Sequence, residues 1–281
     1  MPRELLRRLL DQRLGAPGRA LLAWRTRGQA EALFEARGLT GPAHELAARL
    51  ESRVVRGPFA GMRYPRRRGD IVHAAKLLGA YECELHSAIE RLIARAPMRV
   101  VNVGSGDGYY AVGLARRLPG AHVWAVDPDP IAQRACRETA LTHGVSSQLR
   151  SVVRVDPAGL HALLASEPST GIPATGRALC VVDCEGYEDD LLDPHAVPGL
   201  TRADLLVESH DFARVGVTER LAARFASTHD VERIAVASRD ISAYPELTDL
   251  PSAVVRGLLD EFRHHPQSWL VLTARTPGTE S

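Results

Sequence analysis

The chain has 281 residues, 45 % of them hydrophobic and 25 % charged, with a formal net charge of +1. That suits one soluble α/β unit with an added helical piece, and so even a charge excludes a global case for a nucleic-acid or membrane partner. Cys83, Cys136, Cys180 and Cys184 lack CxxC spacing, the N-terminus is charged and no apolar run approaches the roughly 20 residues of a bilayer span, so free thiols and a cytoplasmic location are expected.

In chain order, residues 3 to about 56 read as helices. Leu5, Leu6, Leu9, Leu10 and Leu14 follow helical spacing, as do Ala30, Leu33, Phe34 and Leu39. Gly15, Pro17, Gly38, Gly41 and Pro42 punctuate them. Arginine gathers here (Arg7, Arg8, Arg25, Arg27, then Arg66, Arg67 and Arg68), which reads as a solvated helix surface or as a patch for an anionic substrate. Lys76 is the only lysine. Residues 57–65 break the pattern as a loop, and a helix is expected over 82–96.

From Met98 short β-branched runs alternate with helical stretches. Strands are expected over 99–103, 121–126, 149–155, 178–183, 203–207, 231–237 and 268–274. Helices are expected over 110–118, 131–143, 157–166, 218–227 and 251–264. This alternation predicts an α/β fold, a doubly wound, mostly parallel seven-stranded sheet whose last two strands form a reversed pair. The expected division is an N-terminal helical cap over 1–96 and a catalytic domain over 97–281.

The first strand runs into Gly104-Ser105-Gly106-Asp107-Gly108-Tyr109. Glycines let the backbone approach a ligand closely, and in an open α/β sheet ligands sit outside the carboxyl ends of the strands. A dinucleotide site wants GxGxxG, and here the third glycine comes one residue early. GxGxG instead resembles the loop of class I methyltransferases, which implies S-adenosylmethionine as cofactor. Asn102, Gly104, Ser105, Gly106, Gly108 and Tyr109 are the candidate loop contacts. Asp127, ending the second strand, suits the two ribose hydroxyls. Asp156 is a candidate for the adenine amino group or, equally, a helix N-cap before Pro157. Class I methyltransferases usually carry an acid where this chain has Asn102. An amide cannot ion-pair with the cofactor's ammonium, which leaves Glu82 or Asp183 for that role.

The fourth and fifth strands end in Asp183-Cys184-Glu185-Gly186-Tyr187-Glu188 and Glu208-Ser209-His210-Asp211. With the glycine loop, these strings resemble FkbM-type methyltransferases over residues 98–211, and residues 77–86 resemble a lead-in segment of some members. The resemblance implies methyl transfer, usually to an oxygen of a small molecule or sugar. An N-methylating site often carries an Asn/Asp-Pro-Pro-aromatic motif where this chain has Asp183-Cys184-Glu185-Gly186, which also favours oxygen.

Asp183, Glu185, Glu208 and His210 fall at neighbouring strand ends and form the candidate catalytic set. His210 is the first choice of general base, since an imidazole titrates near working pH, with Glu208 or Asp183 to orient it. Asp183, Glu208 and His210 are also candidate ligands for a divalent metal such as Mg²⁺. The N-terminal helices are expected to cover a small-molecule acceptor, with Tyr64, Tyr81, Glu84 and His86 as contacts, or to form a homodimer interface. Two other readings stand beside methyl transfer: an NAD-dependent oxidoreductase and a non-catalytic S-adenosylmethionine-binding module.

Overall fold

The computed structural model describes residues 27–165, 176–263, 265 and 267–275. Its seven strands are β1 (Arg99–Val103), β2 (His122–Val126), β3 (Leu149–Val152), β4 (Ala178–Val182), β5 (Asp204–Ser209), β6 (His229–Ala235) and β7 (Ser268–Ala274). They form one sheet in the order β3-β2-β1-β4-β5-β7-β6. β1 to β5 run parallel, and β7 lies antiparallel between β5 and β6. The doubly wound, mostly parallel seven-stranded sheet is therefore as expected, but only β7 is reversed, not the last two strands as a pair. The side chains explain the difference. β7 (SWLVLTA) is almost wholly buried and takes the inner position, whereas β6 (HDVERIA) is mostly exposed and suits the edge.

β1 (RVVNV) and β4 (ALCVV) are buried along their whole length, which a central parallel pair covered on both faces requires. The helices His86–Ala94, Tyr109–Arg117 and Pro130–Thr142 pack on one face of the sheet. Pro157–Leu164, Glu188–Leu191 and Val217–Phe225 cover the other. Asp129 caps the helix Pro130–Thr142 by accepting from the Ile131 N–H, with Pro130 at the first helical position. Such a cap contributes about 1 kcal/mol. A third cluster joins the helices Thr40–Arg49 and His73–Leu78 to Ser252–Leu259. Early chain thus packs both on the sheet and on the helix before β7.

Several boundaries differ from expectation. The helix expected over 82–96 starts at His86, because Glu82 adopts a left-handed backbone (φ +49°) and opens a short 3-10 turn, Cys83–Leu85. The helix expected over 251–264 ends at Leu259. There Asp260 is extended, its carboxylate accepts from the Phe262 N–H, and Phe262 is left-handed. β5 runs on to Ser209, β6 starts earlier at His229, and β3 stops at Val152. The leucine pattern of residues 5–14 and Arg7, Arg8 and Arg25 lie outside the described residues. Arg27, Arg66 and Arg67 are ion-paired with Asp129, Glu31 and Glu138. All four cysteines are free thiols. Among the described residues no helix is long and apolar enough to cross a membrane.

Candidate active site

β1 and β4 are adjacent, but the chain winds outward from them in opposite directions, so their carboxyl ends border a crevice where ligands of such sheets bind. The glycine loop spans it. Gly104 (φ +78°) is pressed so close to the end of β4 that a Cβ would lie 1.7 Å from the Asp183 carbonyl oxygen. Gly108 (φ +96°) is held against the helix Pro130–Thr142, where a Cβ would lie 2.8 Å from the Cys136 Sγ. Between them Gly106 faces open space, with no atom within 4 Å of its Cβ position. The loop is pinned at both ends and open in the middle. The N–H groups of Gly104 and Ser105 donate to the Val126 carbonyl at 2.9 and 3.0 Å, and the buried Ser105 hydroxyl has no partner.

Asp127 lies across from the loop. Its Oδ2 accepts from the Gly106 N–H and its Oδ1 from the Asp129 N–H, both at 2.8 Å. Each oxygen keeps further acceptor capacity, which suits a vicinal diol. Burial pushes this carboxyl up to about 6. The Asn102 amide donates to the Val181 carbonyl at 3.3 Å, while its own carbonyl oxygen is buried without a partner. An unpaired buried acceptor costs about 1–3 kcal/mol, a cost that a ligand N–H relieves. The open face over Gly106, the Asp127 carboxylate and this orphaned carbonyl fit a cofactor bearing a ribose diol and an ammonium, as S-adenosylmethionine does. Asp156 accepts from the Gly159 N–H at 2.7 Å and caps the helix Pro157–Leu164, the alternative reading of that residue. Tyr109 is buried at the start of its helix, with the rings of Phe59, Tyr64, Tyr81 and Tyr110 edge-on around it.

His210 lies just past the end of β5 and is 1 % exposed. Its Nδ1 sits 2.8 Å from Glu188 Oε1, and its Nε2 faces Asp183 at 3.5 Å and Glu185 at 3.8 Å. Glu188 is itself fixed, accepting from the Gly186 N–H at 2.8 Å and the Cys184 N–H at 3.3 Å. The turn that presents these amides contains two left-handed residues, Glu185 and Gly186. Burial alone would raise the Glu188 carboxyl, but the His210 hydrogen bond and charge hold it below its ordinary value. Burial alone would lower His210, but Glu188, Glu208 and Glu185 outweigh it, and the imidazole is raised. Burial and the surrounding carboxylates push Asp183 well up.

Glu208 is placed differently from expectation. It neither orients His210 nor joins the candidate ligand set, because Arg263 claims its carboxylate. Glu188, which sequence reasoning passed over, holds His210 instead. Its signal lay in the spacing of Asp183-Cys184-Glu185-Gly186-Tyr187-Glu188, where a turn returns the last acid toward the first. The ligand atoms that could share a cation, all within 4.8 Å of one another, belong to Asp183, Glu185 and His210.

Arg263 also pairs with Glu82 at 2.8 Å, and Glu82 accepts from the Tyr110 hydroxyl, so a buried ionic network joins the segment before β1 to the end of β5. Burial and the neighbouring Glu208 push Glu82 up to about 8. Of the candidate acceptor contacts, Tyr64 is buried and bonded to Asp107, and Glu84 is ion-paired with Arg239 at 2.9 Å. The His86 ring lies against Gly57, and Tyr81 is half-buried near Glu82.

No family model matches the chain. It is 41 % identical over 76 residues to the release factor glutamine methyltransferase of Chlorobaculum tepidum, covering 25 % of this chain and 26 % of that protein. It is also 41 % identical over 59 residues to the trans-aconitate 2-methyltransferase of Rhodococcus jostii, covering 21 % and 23 %. The chain thus spans about a quarter of the length of these curated relatives. The O-methyltransferase TomG from Streptomyces achromogenes, solved with SAM, is similar at a TM-score of 0.41 and 13 % identity over 83 % of this chain and 89 % of that one. The seven-stranded, mostly parallel sheet with helices on both faces is a doubly wound, Rossmann-like arrangement.

Proposed function

We propose that the chain transfers a methyl group from S-adenosylmethionine to an acceptor, with His210 as general base. The observation that carries the reading is the glycine loop, pinned to Asp183 and Cys136, open over Gly106 and facing Asp127, with only β4 between its strand and the one that ends in a buried histidine held by a carboxylate. The bound cofactor supplies an electrophilic methyl on a sulfonium. Glu188 fixes the His210 Nδ1–H and leaves the Nε2 lone pair toward Asp183 and Glu185, where an acceptor's proton can be taken. His210 Nε2 would take the proton that the acceptor gives up on methylation. Holding acceptor and base together is itself a large part of such a rate enhancement.

The finer reading is an FkbM-type enzyme that methylates a hydroxyl of a small molecule or sugar. The absence of an Asn/Asp-Pro-Pro-aromatic string after β4 supports oxygen over nitrogen, and the acids around His210 favour an uncharged or cationic acceptor. The helices before β1 are read as the acceptor's cover, with a dimer interface as their other use. Calorimetric titration of the full chain with S-adenosylhomocysteine and with NAD tests the cofactor. Micromolar binding of the former alone is the expected result, and binding of NAD alone overturns the reading in favour of an oxidoreductase. Turnover of a panel of hydroxylated metabolites then separates an enzyme from a non-catalytic binding module.

A second reading adds a divalent cation held by Asp183, Glu185 and His210, favoured by their closeness. A bound Mg²⁺ would stabilise charge on the acceptor oxygen. Unchanged turnover after exhaustive chelation removes it.

A further inference from the structure

Lys76 is the chain's only lysine, and its side chain is among the most secluded charges in the fold, with the residue 8 % exposed. Among the described ion pairs every other cation is an arginine or a histidine. At this one place the protein uses a compact ammonium with three freely directed donors in place of a planar fork suited to carboxylate pairs. The ammonium donates to the Tyr64 hydroxyl at 3.1 Å and to Asp70 at 3.5 Å, and lies 3.6 Å from Asp107. The rings of Tyr64, Tyr81 and Tyr109 surround it, with centroids 5.1, 5.4 and 5.7 Å away. One oxygen of Asp70 is buried with no partner.

The position of this nest bears on its purpose. Asp107 is the residue between Gly106 and Gly108, Tyr109 follows the loop directly, and Tyr81 precedes Glu82. Asp107 is the least buried of the three charged side chains, at 17 %. The nest therefore borders the glycine loop itself. It carries one cation and two anions. S-adenosylmethionine carries the mirror of that set at its amino-acid end: two cations, sulfonium and ammonium, and one carboxylate.

We infer that Lys76 and Asp107 recognise the α-amino acid end of the cofactor, Lys76 at its carboxylate and Asp107 at its ammonium. This rests on the cofactor reading above. It answers the question raised by Asn102, which cannot ion-pair with the ammonium: the missing acid stands in the loop, five residues on. The Tyr64 hydroxyl, bonded to Asp107 and to Lys76, holds the pair in register. The tyrosine rings shield the pair from water, which strengthens both contacts.

The test is calorimetric titration of the full chain, wild type, Lys76→Met, Lys76→Arg and Asp107→Asn, with S-adenosylhomocysteine and with 5′-methylthioadenosine, which lacks the amino-acid end. Lys76→Met and Asp107→Asn should weaken S-adenosylhomocysteine by at least about tenfold and leave methylthioadenosine within about twofold, with Lys76→Arg between wild type and Lys76→Met. Equal weakening of both nucleosides assigns the nest a purely structural role and overturns the inference, as does unchanged affinity for S-adenosylhomocysteine. A second arm needs no substitution: the wild type should bind decarboxylated S-adenosylmethionine at least about tenfold more weakly than S-adenosylmethionine, and equal binding rejects the role of Lys76. Failure of the wild type to bind any of these nucleosides overturns the cofactor reading itself, an outcome separate from the loss of selectivity.

Discussion

His210 Nδ1 and Glu188 Oε1 lie 2.8 Å apart across 22 residues of sequence, one past the end of β5 and the other at the start of the short helix after β4. This contact fixes which imidazole nitrogen is free and raises the proton affinity of the ring above its ordinary 6.5. A base with a raised value gives up its proton at a higher pH than a free imidazole. Turnover should therefore climb with pH along an acid limb whose midpoint lies above 6.5. Glu188→Gln removes the charge that raises it and should shift the midpoint down while lowering kcat by roughly 100-fold. His210→Ala should abolish the limb and leave affinity for S-adenosylhomocysteine unchanged. A pH–rate profile of the three proteins checks this.

Gly104 and Gly106 should respond in opposite ways to alanine. A methyl at Gly104 meets the Asp183 carbonyl at 1.7 Å on a left-handed backbone, so Gly104→Ala should cost about 3 kcal/mol or more of stability. Gly106→Ala meets open space and should cost about 1 kcal/mol from backbone strain alone. Its methyl would stand where the cofactor passes, so it should weaken S-adenosylhomocysteine by at least about tenfold while the protein stays folded. Thermal melts paired with calorimetry separate the two effects.

Asp127→Asn should weaken S-adenosylhomocysteine by roughly tenfold to 100-fold, the cost of replacing a charged acceptor by a neutral one. Because burial pushes Asp127 up to about 6, cofactor affinity of the wild type should also fall as pH drops through about 6. The variant should lack that fall. Titrations at several pH values decide it.

Glu82 bears on stability. Burial and Glu208 raise it from 4.5 to about 8, so the folded chain holds a proton that the unfolded chain has released. Its contribution to stability is fully present below about pH 4.5, declines as pH rises from there, and is lost by about pH 8. Glu82→Gln keeps a neutral side chain and should flatten the drop in Tm between about pH 5 and about pH 8. A parallel decline in both proteins would place the titration elsewhere in the network.

The sheet was legible because the chemistry of each strand is local. Val100, Val101 and Val103 in β1, or Leu179, Cys180, Val181 and Val182 in β4, announce a strand buried on both faces. The glycine loop and Asp127 were legible because their spacing is bound to one strand–turn–helix unit and its neighbour. Glu188 was hidden because its role depends on a turn closing through Glu185 and Gly186, and Glu208 was misassigned because sequence order does not show which face an acid takes. Glu208 meets Arg263, 55 residues away, rather than its near neighbour His210. Lys76 and Asp107 were hidden for the same reason. The lead-in resemblance of residues 77–86 begins just after Lys76, and the meeting of Lys76 with the loop is a fact of packing alone.

The seclusion of the single lysine has a practical side. The sequence offers amine-directed reagents one side-chain address, and that address is walled by tyrosines beside the glycine loop. Lysine-directed acylating labels and lysine-coupled surfaces will find no exposed lysine side chain to grip on the folded protein. A slow mass increase on Lys76 becomes instead a one-residue clock for the opening of the loop region. Its slowing by added nucleoside would read out occupancy without any need to know the acceptor.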